Sequence, residues 1–149
     1  FDQHPRVLAL LADRSLDCRL VYPGAGPDDV DLGASAPQVA PGRTLALLLV
    51  DATWSCAKTV LRASPGVAAL PRVHFPFTGP SEYGFKTQPA PEALSTLEAA
   101  ARVLRHLDRW GVEPFDAADE AALLEPFREM VRRQSAYAAR RAAAKGGAA

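Results

Sequence analysis

An α/β domain is what the sequence predicts, on three observations. Hydrophobic segments alternate between strand-like and helix-like spacing. One continuous aliphatic run, Thr44 to Val50, reads as a strand covered on both faces, of the kind parallel sheets contain. The chain has 149 residues, 48% of them hydrophobic, which supplies one core and no more.

In chain order, Val7 to Leu11 reads as helix and Cys18 to Tyr22 as strand, and Pro23 to Gly42, rich in Pro, Gly and Asp, as a long loop. The aliphatic strand ends at Asp51. Trp54, Ala57, Val60 and Leu61 then recur at helical spacing until Ser64-Pro65-Gly66 stops them. Arg72 to Phe75 is a short strand. Pro76 to Pro91 holds four prolines and two glycines, so it is ordered only if the fold or a ligand pins it. Ser95-Thr96-Leu97-Glu98 has the pattern of a capping box, opening a helix that runs to about Trp110 and closes at Gly111. A last helical region follows, with Asp116 or Asp119 as cap and Pro126 expected in the first turn of the final helix. There is no internal repeat.

Composition removes several classes of function. Intrinsic disorder is excluded for most of the chain by its apolar content. The longest aliphatic run falls far short of the ~20 residues of a membrane-spanning helix, and no basic signal segment opens the chain, so a cytoplasmic protein with no membrane partner is expected. Phe1 is not an initiator methionine, and the chain is expected to begin inside a longer product or after processing. Cys18 and Cys56 stand apart, and His4, His74 and His106 share no spacing, so neither a disulfide framework nor a metal site is supported, zinc included. The 17 basic and 17 acidic residues cancel, but residues 128 to 149 carry a net +5 and the first 127 a net −5. The bland reading of that end is a solvated, Arg-rich helix.

Asp51, where the aliphatic strand ends, is the first candidate for chemistry, because ligands of open α/β sheets bind outside the carboxyl ends of the strands. A helix-capping role for Asp51 is equally compatible with its position. Trp54 is expected to pack as core against Ala57 and Leu61.

Val50-Asp51-Ala52-Thr53-Trp54-Ser55 resembles the D-x-T-W signature of the DTW-domain family of tRNA-uridine aminocarboxypropyltransferases. Four further stretches agree in the same order. Gln3-His4-Pro5 is similar to the family's Q-H-P, Leu70-Pro71-Arg72-Val73 to its L-P-R-V, Ser81-Glu82-Tyr83 to its S-x-Y, and Ser95-Thr96-Leu97-Glu98-Ala99 to its S-T-x-E-A. The family's cysteine cluster ahead of Q-H-P is not in this sequence. Its acidic residue and Asn-Thr pair after Q-H-P are replaced by Arg6 running into Val7-Leu8.

The resemblance implies a single SPOUT-like domain with a mostly parallel sheet flanked by helices and a C-terminal trefoil knot, residues 1–127 being the catalytic domain and 128–149 a basic helix and tail. It implies S-adenosylmethionine as donor and tRNA as partner. Leu70, Pro71, Arg72, Val73, Tyr83, Ser95 and Thr96 would bind the donor, with Thr53, Trp54 and Glu98 as supporting motif residues. Tyr83 is either a loop anchor or a wall of an adenine pocket, and the resemblance favours the second. Asp51 would either take a proton from the uridine imide or hold the sulfonium; the two roles stay open. Arg128, Arg132, Arg133, Arg140 and Arg141 would meet RNA phosphates. A SPOUT-like methyltransferase and a non-catalytic RNA-binding module are the competing readings.

Overall fold

A computed structural model describes residues 2–77, 79–84, 88–90 and 93–146, with the side chains of 142 and 144–146 excepted. Phe1, Pro91, Gly147 and the Lys145 side chain lie outside the described residues. The elements are α1 (Pro5–Ala12), β1 (Leu16–Val21), β2 (Val30–Asp31), β3 (Thr44–Leu48), α2 (Trp54–Arg62), α3 (Pro65–Ala68), β4 (Arg72–His74), α4 (Thr96–Arg109) and α5 (Ala117–Gly146). The α/β class is as expected, and the sheet is wholly parallel in the order β2-β4-β1-β3.

The sheet is covered on both faces. Leu32, Val73, Val103 and Leu107 form one buried cluster, packing β4 and its neighbours on α4. Leu20, Leu61 and Val67 form another, closed by Val7 and Leu11 of α1. Val30, Val73 and Val21 pair across three strands at one register level, and all three belong to the α4 side. A third cluster, Ala101, Leu124 and Phe127, joins α4 to α5.

Three expectations change. First, the aliphatic strand meets both clusters that cover the sheet, Leu45 and Leu47 the first and Leu48 the second, but it is shorter and less buried than expected. It ends at Leu48, lies at the sheet edge with a neighbour only in β1, and has no fully buried residue, because hydrophobic content alone does not distinguish an edge from a centre. Second, the long loop contains a strand. Residues 30–31 pair with β4, Leu32 is wholly buried, and Trp110 Nε1 donates to the Leu32 carbonyl at 2.8 Å. A two-residue strand has too little periodicity to be read locally, and its partner lies more than forty residues on. Third, Pro126 is interior to α5, not in its first turn. Asp116 is the residue that caps this helix, its Oδ1 accepting from the Ala118 and Asp119 amides at 2.7 and 2.9 Å. Burial of Leu124 and Phe127 against α4 outweighs the single backbone bond the proline forgoes.

Local signals elsewhere hold. Ser95 Oγ accepts from the Glu98 amide at 3.2 Å while Glu98 Oε2 accepts from the Ser95 amide at 2.8 Å, completing the capping box. At the other end of α4, Gly111 has φ +67°. Its amide donates to Asp108 and that of Val112 to Leu107, a Schellman closure. His4 of the Q-H-P stretch caps α1, accepting from the Arg6 amide through Nδ1. No helix among the described residues is long and apolar enough to cross a membrane. Position 127/128 falls inside the continuous helix α5, and beyond Val131 every described side chain is exposed.

Candidate active site

Because β1, β3 and β4 run parallel, their carboxyl ends open on the same side. There a cavity of about 640 Å³ lies among Tyr22 and Pro23 after β1, Leu49 and Val50 after β3, and Val73 to Phe75 at the end of β4. Its other walls are Trp54, Ser55, Ala57 and Lys58 of α2, and the approach to α4 from Pro89 to Ala99. The volume is in the range of small-molecule sites, and the lining is mainly apolar.

Asp51 stands on the rim, exposed, between the lining residues Val50 and Ala52. It does not cap α2: the cap position is Thr53, which makes no side-chain capping bond and whose Oγ1 lies 3.2 Å from Ser55 Oγ. Instead, Thr96 Oγ1 donates to Asp51 Oδ1 at 2.9 Å. The D-x-T-W turn and the S-T-x-E-A helix start, 45 residues apart, therefore meet here. Among the described residues nothing donates to Asp51 Oδ2, so one oxygen is oriented and the other is open to a ligand.

Trp54 is half-buried and belongs to the cavity wall, in place of the core role expected for it. The reason lies in its polar edge: Nε1 donates to the Leu94 carbonyl at 2.8 Å, clamping α2 to the approach of α4. Tyr83 stands behind it. Its ring meets Trp54 edge-on at 6.2 Å and Phe127 at 5.2 Å, and it packs on the α4–α5 cluster, not on the cavity.

Glu98 organises that loop. Only 6% exposed, its carboxylate accepts from Ser81 Oγ at 2.7 Å, from the Glu82 amide at 2.6 Å and from the Ser95 amide. Gln88 holds the next part through the Ser81 amide and the Ala93 carbonyl. Glu82 forms a two-pronged pair with Arg128 at 2.7 and 2.9 Å. The Arg128 hydrogen bond holds the Glu82 carboxyl below the usual carboxylate range, and the same bond raises Arg128.

Of the L-P-R-V residues, only Val73 reaches the cavity. Leu70 packs against the cluster around Leu61. Arg72 donates from Nη1 to the Pro23 carbonyl at 2.6 Å and lies over the Tyr22 ring at 5.6 Å. Its amide donates to Asp29 Oδ1, while the Gly26 amide keeps the Asp29 carboxyl low. Pro71 contributes its carbonyl to β1, accepting from the Leu20 amide. None of these three lines the cavity. Ser95 and Thr96 do line the cavity.

Sequence reasoning missed Lys58 and the aromatic wall of Tyr22, Phe75 and Phe77. Lys58 was legible: four residues after Trp54, it falls on the same face of α2. The expected phosphate-binding arginines of α5 are dispersed. Arg128 is held by Glu82, Arg132 by Glu125 and Glu129, and Arg133 by Glu129. Arg140 and Arg141 have no acidic partner among the described residues, and Arg141 lies over the exposed Tyr137 ring at 5.9 Å. No group of three or more His, Cys, Asp or Glu among the described residues is gathered to hold a metal.

A segment of 62 residues is 42% identical to "tRNA-uridine aminocarboxypropyltransferase 2" of Drosophila melanogaster, covering 42% of this chain and 25% of that relative's length. No solved structure matches. The DTW domain family matches residues 1–135, a span that contains all five motif stretches. Over that span the chain belongs to the DTW domain family.

Proposed function

We propose that the chain transfers the 3-amino-3-carboxypropyl group of S-adenosylmethionine to the ring nitrogen at position three of a uridine in tRNA, releasing methylthioadenosine. The observation that carries this reading is the Thr96–Asp51 hydrogen bond at the mouth of the strand-end cavity, which brings two family motifs to one ligand-sized site. The name of the fruit-fly relative agrees with it.

The residues present fit the donor. Apolar and aromatic walls suit an adenosine, and Val73, Ser95 and Thr96 touch the space it would fill. In this reading Leu70, Pro71, Arg72 and Tyr83 act at one remove, by positioning the wall. When bound, the sulfonium donor supplies an electrophilic carbon. The uridine nitrogen forms its new bond to the donor's gamma carbon as the carbon–sulfur bond breaks, the sulfur leaving as a neutral thioether. Asp51 Oδ2 takes the imide proton, with Thr96 holding Oδ1 in place. The apolar cavity excludes water from the reacting carbon.

The same reading includes a SPOUT-like fold with a C-terminal trefoil knot, for which the all-parallel, out-of-sequence strand order is the support. It puts the protein in the cytoplasm with its tRNA. Arg140 and Arg141, beside the 61% exposed Tyr137, are the first residues of α5 to meet phosphate.

Nucleoside mass spectrometry of tRNA incubated with protein and donor tests this. The expected product is uridine carrying one aminocarboxypropyl group. An added methyl would replace the reading with a methyltransferase, and unmodified RNA that nevertheless binds would leave an RNA-binding module.

A further inference from the structure

Of the described side chains that line the cavity, Lys58 alone carries a permanent charge. It makes no ion pair among the described residues, although the chain has as many acidic as basic residues and pairs many of its arginines. Its position is not accidental. Trp54 and Ser55, one turn earlier, line the same wall, and the Trp54–Leu94 bond holds that face of α2 toward the cavity. Ser95 and Thr96 at the start of α4 line the same cavity, and the Thr96 and Leu97 amides have no partner among the described residues. The ammonium is solvated while the cavity is open. Lys58 is exposed on the cavity wall, so a ligand that fills the apolar space finds there a positive charge that favours an anionic group.

We propose that Lys58 is the anchor for the donor's α-carboxylate, and thereby the residue that selects a sulfonium nucleoside bearing an intact amino-acid end. The inference rests on the donor reading above. A carboxylate accepts from an ammonium and from helix N-terminal amides together. The assignment also accounts for the charge layout: the one cation among the described lining residues lies on the α2 wall, while Asp51, on the rim, remains for the imide proton.

The test is calorimetric titration of the 149-residue chain and its Lys58→Met and Lys58→Arg variants with three probes: S-adenosylmethionine, its decarboxylated analogue, and methylthioadenosine. The expected result for Lys58→Met is an affinity for S-adenosylmethionine lower by about ten- to a hundredfold, the span of one charge-assisted hydrogen bond. Affinity for the two probes lacking a carboxylate stays within about twofold, which also shows that the variant is folded. Lys58→Arg recovers part of the loss, because it restores charge. Equal weakening of all three probes, or none, overturns the proposal. If the wild-type chain binds neither S-adenosylmethionine nor methylthioadenosine, the donor reading falls first and this inference with it.

Discussion

Glu98 and Asp51 show how differently two carboxylates of one site are used. Glu98 is buried, and its two oxygens accept from a hydroxyl and two amides, so it joins the 81–83 loop to α4 as structure. Glu98→Ala leaves those donors without partners and is expected to lower unfolding free energy by about 3 kcal/mol, measured by urea denaturation. A loss below about 1 kcal/mol would show that the loop holds without it. Asp51 is exposed and does not cap α2, and the role proposed for it is chemical. Asp51→Asn is nearly isosteric and keeps the bond from Thr96, and is expected to abolish transfer while stability and donor affinity stay within a few-fold. Full transfer by the asparagine variant, followed by product mass, discards the base role. The capping alternative was legible from sequence, but only the geometry of Thr53 removed it.

Among the elements, α5 is the one whose parts do different work. Its first half packs Leu124 and Phe127 on α4 and pairs Arg128 with Glu82. Its second half projects, with all described side chains exposed. The five arginines named from sequence are therefore not equivalent. Exposed pairs such as Arg133 with Glu129 are worth little and exchange readily, but each arginine taken by a phosphate leaves an acid behind. Arg140→Gln and Arg141→Gln are expected to reduce the slope of log affinity against log salt by about 0.7 to 0.9 for each phosphate no longer neutralised. Adding Arg132→Gln and Arg133→Gln weakens tRNA binding further, by a smaller step per residue. Donor affinity is expected to be unchanged throughout, since no described residue of α5 lines the cavity. A wild-type salt slope in the four-site variant puts the RNA surface elsewhere, with the Pro23 to Gly42 segment next.

At the scale of the molecule, the apolar interior of the described residues is divided into three small clusters, the largest with four buried residues. No buried side-chain nitrogen or oxygen among the described residues lacks a partner, so the folded state is consistent but not heavily cored. The cavity occupies the junction of the strand ends, α2 and the approach to α4. A ligand there bridges elements that otherwise meet through few bonds, Trp54 to Leu94 and Thr96 to Asp51 among them. Methylthioadenosine at a hundredfold its dissociation constant is expected to add about 2.7 kcal/mol to unfolding free energy, visible as a rise in melting temperature. No shift at that occupancy would mean that the ligand binds folded and unfolded chains alike.

The sequence by itself determined the α/β class, the positions of β1, α2 and α4, the capping box and glycine closure of α4, and the five family motifs. Each of these is written in neighbouring residues: a period of 2 or 3.6, a hydroxyl three places before a carboxylate, a glycine where φ turns positive. Tertiary structure decided the rest. That β3 is an edge, that residues 30–31 are a strand, and that Pro126 lies within a helix all depend on partners far along the chain. So does the division of the motif residues into those that line the cavity and those that hold its walls. Val73 and Thr96 face the space; Tyr83 and Arg72, equally conspicuous in sequence, are turned to Phe127 and to Pro23. Spacing along a strand or helix tells which side chains share a face, but what that face meets is set by the order of strands in the sheet.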